Sequence, residues 1–213
     1  MSLTKFLCSA RARRLDLKFI EELAKLRDYI ISFDMNPFIC AGTLLGWYRE
    51  CTIIPSTNDM DISILVEEFN QAMIDELLTQ EKFYLHKKLG YVNDSFELTI
   101  APPGGYIDVF FVYSEADYSW VGGLESSTRE KYKYTSFCAA DLLNHLFYVP
   151  CNVEEVLTAD YGNWKEDHPH ERYVWFASGK NVQKNGFWSP EDMKYVNNYY
   201  HSPYVDGKTV AIG

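Results

Sequence analysis

The segment Tyr106-Ile107-Asp108-Val109-Phe110-Phe111-Val112 sets one carboxylate inside an otherwise apolar and aromatic run. It follows Pro102-Pro103-Gly104-Gly105, the clearest turn in the chain. A run of this kind reads as a strand buried in a sheet, where an unpaired carboxylate is costly. Either Asp108 faces water from an edge strand, or something cationic meets it. Asp59 and Asp61 sharpen the choice, because they stand at the entrance of another β-branched, apolar stretch, Ile62 to Val66. Residues two apart on a strand share a face, so these two carboxylates aim the same way. The plainer reading of Asp59 is a turn or cap residue.

The surrounding pattern places these strands in the α/β (α+β) class. Leu15, Phe19, Leu23, Leu26, Ile30 and Phe33 recur three and four apart, the stripe of an amphipathic helix that Asn36-Pro37 ends. Phe38 to Ala41 reads as a short buried strand running into Gly42-Thr43. A helix through Leu44, Leu45, Trp47 and Tyr48 is expected next, with Arg49 at its end, and a second helix from about Glu67 to Leu78. Residues 83 to 111 read as a β-meander and 113 to 135 as polar, Tyr-rich loop. Leu146 to Val149 reads as a short strand and Val153 to Tyr161 as a helix stopped by Gly162. The remainder is irregular and aromatic, with a helix expected near 190–200. Residues 1–14 are taken as an N-terminal extension and 15–213 as one domain.

A formal net charge of −10 does not show the basic footprint that non-specific nucleic-acid binding needs, and leaves only a local basic patch for it. It also poses a question, since an acidic protein that holds an anionic substrate needs another source of positive charge. Divalent ions bridging carboxylates to phosphates are one answer. No stretch is long and apolar enough for a transmembrane helix. The residues before Arg14 run opposite to the order of a secretory signal. An anchor, if the protein has one, is expected outside this sequence. The five cysteines form no CxxC pair or zinc-spaced cluster and read as buried thiols; an odd count leaves at least one outside any intramolecular pair.

Three converging carboxylates, Asp59, Asp61 and Asp108, repel one another unless a hard cation joins them. Two such ions about 3.5–4 Å apart can clamp the attacking and leaving oxygens of a phosphoryl transfer. Gly42-Thr43 precedes a helix whose N-terminus could receive a phosphate, with the Thr43 hydroxyl as a further donor. Gly46 would permit close backbone approach, and Arg49 is the nearest cation suited to bidentate phosphate contact. Each has a structural alternative: a simple turn, close helix packing, a solvated helix end. Lys131-Tyr132-Lys133-Tyr134 could line an acceptor groove or be an ordinary loop. His168 and His170 read first as surface histidines, and Tyr161-Gly162-Asn163-Trp164 as a pocket closure or a helix cap.

Ala41-Gly42-Thr43, Asp59-Met60-Asp61-Ile62 and Ile107-Asp108-Val109 resemble, in order, the three signature motifs of the nucleotidyltransferase fold. More narrowly, AGTLLGWYRECTIIPSTNDMDISI resembles the core motif of the LicD and fukutin family. YVPCNVEEVLTADYGNWKE and NVQKNGFW are similar to two further blocks of that family. Ser56-Thr57-Asn58 departs from LicD proteins, which often carry an acidic run there. The resemblance implies a nucleotidyltransferase-fold mixed β-sheet flanked by helices, with an irregular aromatic-rich C-terminal part. It implies Mg²⁺ or Mn²⁺ on Asp59, Asp61 and Asp108, and a CDP-linked donor held with Gly42, Thr43 and Arg49. The implied reaction moves a phosphoalcohol, ribitol 5-phosphate first, to a glycan acceptor in the Golgi lumen, as in protein O-mannosyl glycosylation. The alternatives are phosphocholine transfer of LicD type, or a non-catalytic glycan-binding or scaffold member. A transferase acting on RNA or DNA is disfavoured by the missing basic surface.

Overall fold

The computed structural model describes residues 14–55, 57, 59–102, 105–123, 127–166 and 173–200, together with strand residues 204–205 and 208–209. Helix α1 (Arg14–Ile31) turns Ile20, Leu23, Leu26 and Ile30 inward, each no more than 1% exposed, as its three-and-four spacing requires. The chain then forms β1 (Phe38–Ile39), the short helix α2 (Ala41–Leu45) and a single π-helical turn, Gly46–Glu50. β2 (Asp59–Leu65) follows, then the 3₁₀ turn Val66–Glu68, α3 (Gln71–Leu77), β3 (Leu85–Tyr91), β4 (Asp94–Ile100) and β5 (Tyr106–Ser114).

β2 and β5 lie parallel at the centre, in register from Asp59 with Tyr106 to Leu65 with Val112. β1 pairs antiparallel with the other edge of β2 and parallel with β9 (His145–Pro150), which is in turn closed by β8 (Phe137–Leu142). On its far edge β5 forks. Residues 107–110 pair with β4, which leads to β3 and β11 (Asn197–Tyr199). Tyr113 and Ser114 pair with β6 (Ser119–Gly123), which leads to β7 (Thr128–Tyr132) and β10 (Val182–Lys184). The result is a mixed eleven-stranded sheet among the described residues, flanked by helices. Tyr204–Val205 and Lys208–Thr209, β12 and β13, pair separately.

One face of the central strands is the core. Met60, Ile62 and Ile64 from β2, Ile107, Val109 and Phe111 from β5, and Leu98 and Ile100 from β4 are all at most 1% exposed. Burial of each such side chain is worth about 1.5–3 kcal/mol, so the alternation of β2 and β5 pins their register. That pin consigns the intervening residues, Asp59, Asp61 and Asp108, to the opposite face.

Several expectations change. β2 begins at Asp59, so both acids lie within the strand rather than before it. The helix expected from Glu67 starts only at Gln71, because Phe69 leaves the chain direction to pack on Phe96 and Phe111, and Asn70 caps the helix by accepting from the Ala72 N–H at 3.0 Å. Residues 113–135 are mostly strand rather than loop. Their buried positions are mostly aromatic and small, with Val121 the aliphatic one among the described residues: Tyr113 stacks on Trp120 at 4.2 Å, and its hydroxyl accepts from the Phe96 N–H. Near 190–200 there is only one helical turn, α6 (Met193–Val196), before β11; α5 is the turn Trp175–Ser178, and α4 is the expected Val153–Tyr161. The cysteines are not all thiols: Cys138 and Cys151 form a disulfide at the β8–β9 hairpin, Cys51 is disulfide-bonded, and Cys40 is free and buried. Residues 1–13, His168 and His170 lie outside the described residues. No described helix is long and apolar enough to cross a membrane.

Candidate active site

Asp61 and Asp108 are register partners on the parallel strands β2 and β5, and Asp59 is two residues before Asp61 on the same face. Each carboxylate is seated by protein donors. The Gly42 N–H donates to Asp61 Oδ2 at 3.1 Å, the Thr99 hydroxyl to Asp108 Oδ1 at 2.7 Å, and the Thr57 hydroxyl to Asp59 Oδ1. Thr99 reaches Asp108 because β4 brings the two into register. These bonds occupy one oxygen of each carboxylate. Among the described residues, no three His, Cys, Asp or Glu side chains are already drawn together as a closed metal nest.

The charges act on one another. Burial pushes the Asp61 carboxyl well above its ordinary range, the charges of Asp59 and Asp108 push further, and the Thr43 and Gly42 contacts pull it partly back. Asp108 is raised mainly by burial and also by Asp59, against the Thr99 hydrogen bond and the positive charge of Lys87 and His86. Partly buried carboxylates that destabilise one another's charge, with oxygen-only chemistry, are the donor set a hard divalent cation relieves. The residues fit such an ion in chemistry, and ion binding would require the carboxylates to turn from their present partners.

The segment before β2 is built to hold Asp61. Thr43, 3% exposed, accepts from the Asp61 N–H through its hydroxyl at 2.7 Å, and the Cys40 N–H donates to the Asp61 carbonyl. Ala41, with φ of 43°, sits in the left-handed region that non-glycine residues rarely adopt, which turns the Gly42 N–H onto the carboxylate. A Cβ on Gly42 would lie 3.3 Å from Asp61 Oδ2. One on Gly46 would lie 2.6 Å from the Thr52 carbonyl oxygen, so Gly46 is glycine because backbone passes over it. Gly42 and Thr43, expected to face a phosphate, thus brace the acidic strand. Arg49 is elsewhere engaged: it contacts Glu50 at 2.6 Å and the Trp164 carbonyl at 3.4 Å, which links the π-helical turn to the segment after α4.

Other neighbours were not singled out from sequence. Thr57 and Thr99 have no signature, and Lys87 reaches the acidic face only through the β3–β4–β5 order. Beyond β7, Asp160 is 5% exposed and accepts from Asn181 at 2.9 Å; burial first, then Glu130, pushes its carboxyl up to about 7. In the Lys131–Tyr134 stretch, Tyr132 and Tyr134 are stacked in the interior. Lys131 and Lys133 line a half-open pocket of about 270 Å³ with Tyr118, Asn152 and Glu155.

The sequence pattern described as LicD/FKTN/FKRP, nucleotidyltransferase domain, matches residues 34–152, the stretch that carries α2, β2, β5 and all three carboxylates. The fold is therefore that of a nucleotidyltransferase domain. The chain belongs to the LicD/FKTN/FKRP family. Two uncharacterized proteins of Caenorhabditis elegans are 42% and 46% identical to it over 193 and 190 residues, covering 84% and 83% of this chain and 51% and 49% of theirs. The human ribitol-5-phosphate transferase FKTN is 36% identical over 191 residues, covering 86% of this chain and 41% of that protein. The chain spans about half the length, or less, of these curated relatives. A lincomycin-bound lincosamide antibiotic adenylyltransferase, LnuA, shares 12% identity and a TM-score of 0.41, over 64% of this chain and 83% of that one.

Proposed function

We propose that this chain is a metal-dependent phosphotransferase that moves a phosphoalcohol, ribitol 5-phosphate first, from a CDP-linked donor to a glycan hydroxyl. The observation that carries the reading is the in-register pairing of Asp61 with Asp108 beside Asp59, on the polar face of a sheet whose other face is core. The kinship with FKTN supplies the choice of transferred group.

Asp59, Asp61 and Asp108 would hold one or two Mg²⁺ or Mn²⁺ ions, which when bound neutralise charge on the donor diphosphate. Gly42 and Thr43 keep Asp61 in place, and Thr99 keeps Asp108 in place, so the carboxylates share one anionic face that an ion would draw together. The acceptor oxygen forms a bond to the phosphorus that bears the alcohol, the bond from that phosphorus to the bridging oxygen breaks, and CMP departs with the electron pair. The acceptor proton passes to Asp108, the carboxylate at the middle of the face. Arg49 could meet the remaining phosphate charge only on release from Glu50 and the Trp164 carbonyl; a fall in turnover on the order of 10²-fold in Arg49→Ala would show that it does so, and unchanged kinetics would remove it from the scheme. A disulfide at the β8–β9 hairpin suits an oxidising lumen and supports the Golgi assignment.

The test is thermal-shift stability with CDP-ribitol, CDP-choline, CTP and CMP, with and without Mn²⁺, beside the Asp59→Ala/Asp61→Ala variant. A ligand that binds only the folded protein raises its melting temperature. A Mn²⁺-dependent rise with CDP-ribitol, lost in the variant, is the expected result. A rise with CDP-choline alone would move the assignment to phosphocholine transfer, and none with any cytidine nucleotide would favour a non-catalytic, glycan-binding member.

A further inference from the structure

The acidic face does not end at Asp108. The register runs from Asp61 on β2 to Asp108 on β5, to Thr99 on β4, to Lys87 on β3. Four neighbouring strands, about 4.8 Å apart, therefore carry a row that begins with carboxylates and ends with an ammonium on the same face. Between Leu85, paired with Ile100, and Lys87, paired with Thr99, the strand has an extra residue, His86. A bulge of this kind re-aims a side chain, and here it lets two consecutive residues serve the same face. The His86 ring packs on Tyr106 at 5.0 Å, and Tyr106 is the register partner of Asp59. His86 Nδ1 is buried with no hydrogen-bond partner among the described residues.

Among the described residues, the ion pair of Lys87 is with Glu97 Oε1, a long contact at 3.7 Å. Its side chain is 22% exposed, so the ammonium is at the surface of the face rather than sealed in the core. Arg49, by contrast, is held by Glu50 and the Trp164 carbonyl. Among the described residues, the lysine whose charge acts on Asp108 is Lys87.

We propose that Lys87 and the bulged His86 form a phosphate-binding subsite beside the three carboxylates, which receives a phosphate group of the substrate. The inference rests on the reading of the acidic face as a substrate site, and it names where substrate anion is held without a metal. The recognised chemistry is an anionic phosphate group. It can come from the diphosphate of the nucleotide donor or from a phosphate on an acceptor sugar. A charge-assisted contact of this kind is lost with the ammonium, and Lys87→Met keeps most of the side-chain stem.

The experiment is calorimetric titration of the purified protein with inorganic pyrophosphate, CDP-ribitol and glucose 6-phosphate, each with and without Mn²⁺. The variants are Lys87→Met, Lys87→Arg, His86→Ala and Glu97→Gln, each checked for an unchanged circular dichroism spectrum. Lys87→Met should weaken binding roughly ten- to hundredfold, and Lys87→Arg should restore most of it. His86→Ala should weaken it several-fold, and Glu97→Gln should leave it equal or tighter because the competing carboxylate is gone. Losses confined to pyrophosphate and CDP-ribitol assign the subsite to the donor, and losses confined to glucose 6-phosphate assign it to the acceptor. Lys87-dependent binding of pyrophosphate or glucose 6-phosphate, in a protein that ignores CDP-ribitol, keeps the subsite and overturns the CDP-donor reaction. CDP-ribitol binding that Lys87→Met leaves unchanged, with no loss for the other probes, keeps that reaction and overturns the subsite. Wild-type protein that binds none of the three also overturns it, and so does an equal loss in Glu97→Gln and Lys87→Met, the mark of a purely structural ion pair.

Discussion

Thr43→Val separates a brace from a ligand contact. Thr43 is 3% exposed, and its hydroxyl accepts the Asp61 N–H at 2.7 Å. Valine keeps the shape and the second branch but offers no acceptor, so the Asp61 N–H is left buried and unsatisfied. That costs about 1–3 kcal/mol. For a chain of this length each kcal/mol moves the melting temperature by roughly 2–4 °C, so a fall of roughly 2–12 °C is expected. Thr43→Ser keeps the acceptor and loses one methyl, worth about 0.8 kcal/mol. Global stability alone can confuse the two at their margins, so hydrogen exchange at the Asp61 amide is the deciding assay. Thr43→Val should speed exchange there by about tenfold or more, as a loss near 1.4 kcal/mol implies, while Thr43→Ser should not. Because that amide sits beside a carboxylate of the acidic face, Mn²⁺-dependent stabilisation should shrink with the same variant. If Thr43→Val unfolds within about 0.5 kcal/mol of wild type and the Asp61 amide stays as protected, the brace is wrong and Thr43 is free to serve a ligand.

Other outcomes follow from the same geometry. Gly46→Ala drives a Cβ to 2.6 Å from the Thr52 carbonyl and 3.0 Å from the Ile54 nitrogen, both backbone, so a loss of about 1–3 kcal/mol is expected in urea unfolding; a neutral variant would mean that the 52–54 segment yields freely. Asp160 stays protonated in the folded protein up to about 7 but ionises near 3.8 when unfolded, so its contribution favours folding at low pH and is lost as pH rises through that window. Asp160→Asn should therefore match wild type near pH 4 and exceed it at pH 8 by on the order of a few kcal/mol, and parallel stability–pH curves would refute the assignment. Removing the Cys138–Cys151 bridge in a double Ser variant reopens a loop of sequence separation 13 and should cost about 3 kcal/mol; retention of the full melting temperature under reducing conditions would count against it.

The parts legible from the residue pattern are those whose physics is local. The spacing of Leu23, Leu26 and Ile30 is enough to make α1 amphipathic, and the alternation in 106–112 is enough to bury Ile107, Val109 and Phe111 while excluding Asp108. Two carboxylates two apart must share a face, so the Asp59–Asp61 half of the site was legible from spacing alone. Their position inside β2 was not, because hydrophobicity marks where a strand is buried rather than where its hydrogen bonds begin. The strands of 113–135 were hidden for a related reason: Tyr113, Trp120 and Thr128 are buried without being aliphatic.

Long-range packing set which strands neighbour one another. Placing Asp61 opposite Asp108 rests on a parallel pairing between residues 47 positions apart in sequence, and bringing Thr99 and Lys87 into the same row rests on the β3–β4–β5 order. It likewise turned Gly42 and Thr43 from open donors into supports for Asp61, and committed Arg49 to Glu50 and Trp164. The physical reason is that register is chosen by the summed burial of the opposite face. No single residue on the acidic face carries that information, since those residues go where the core leaves them.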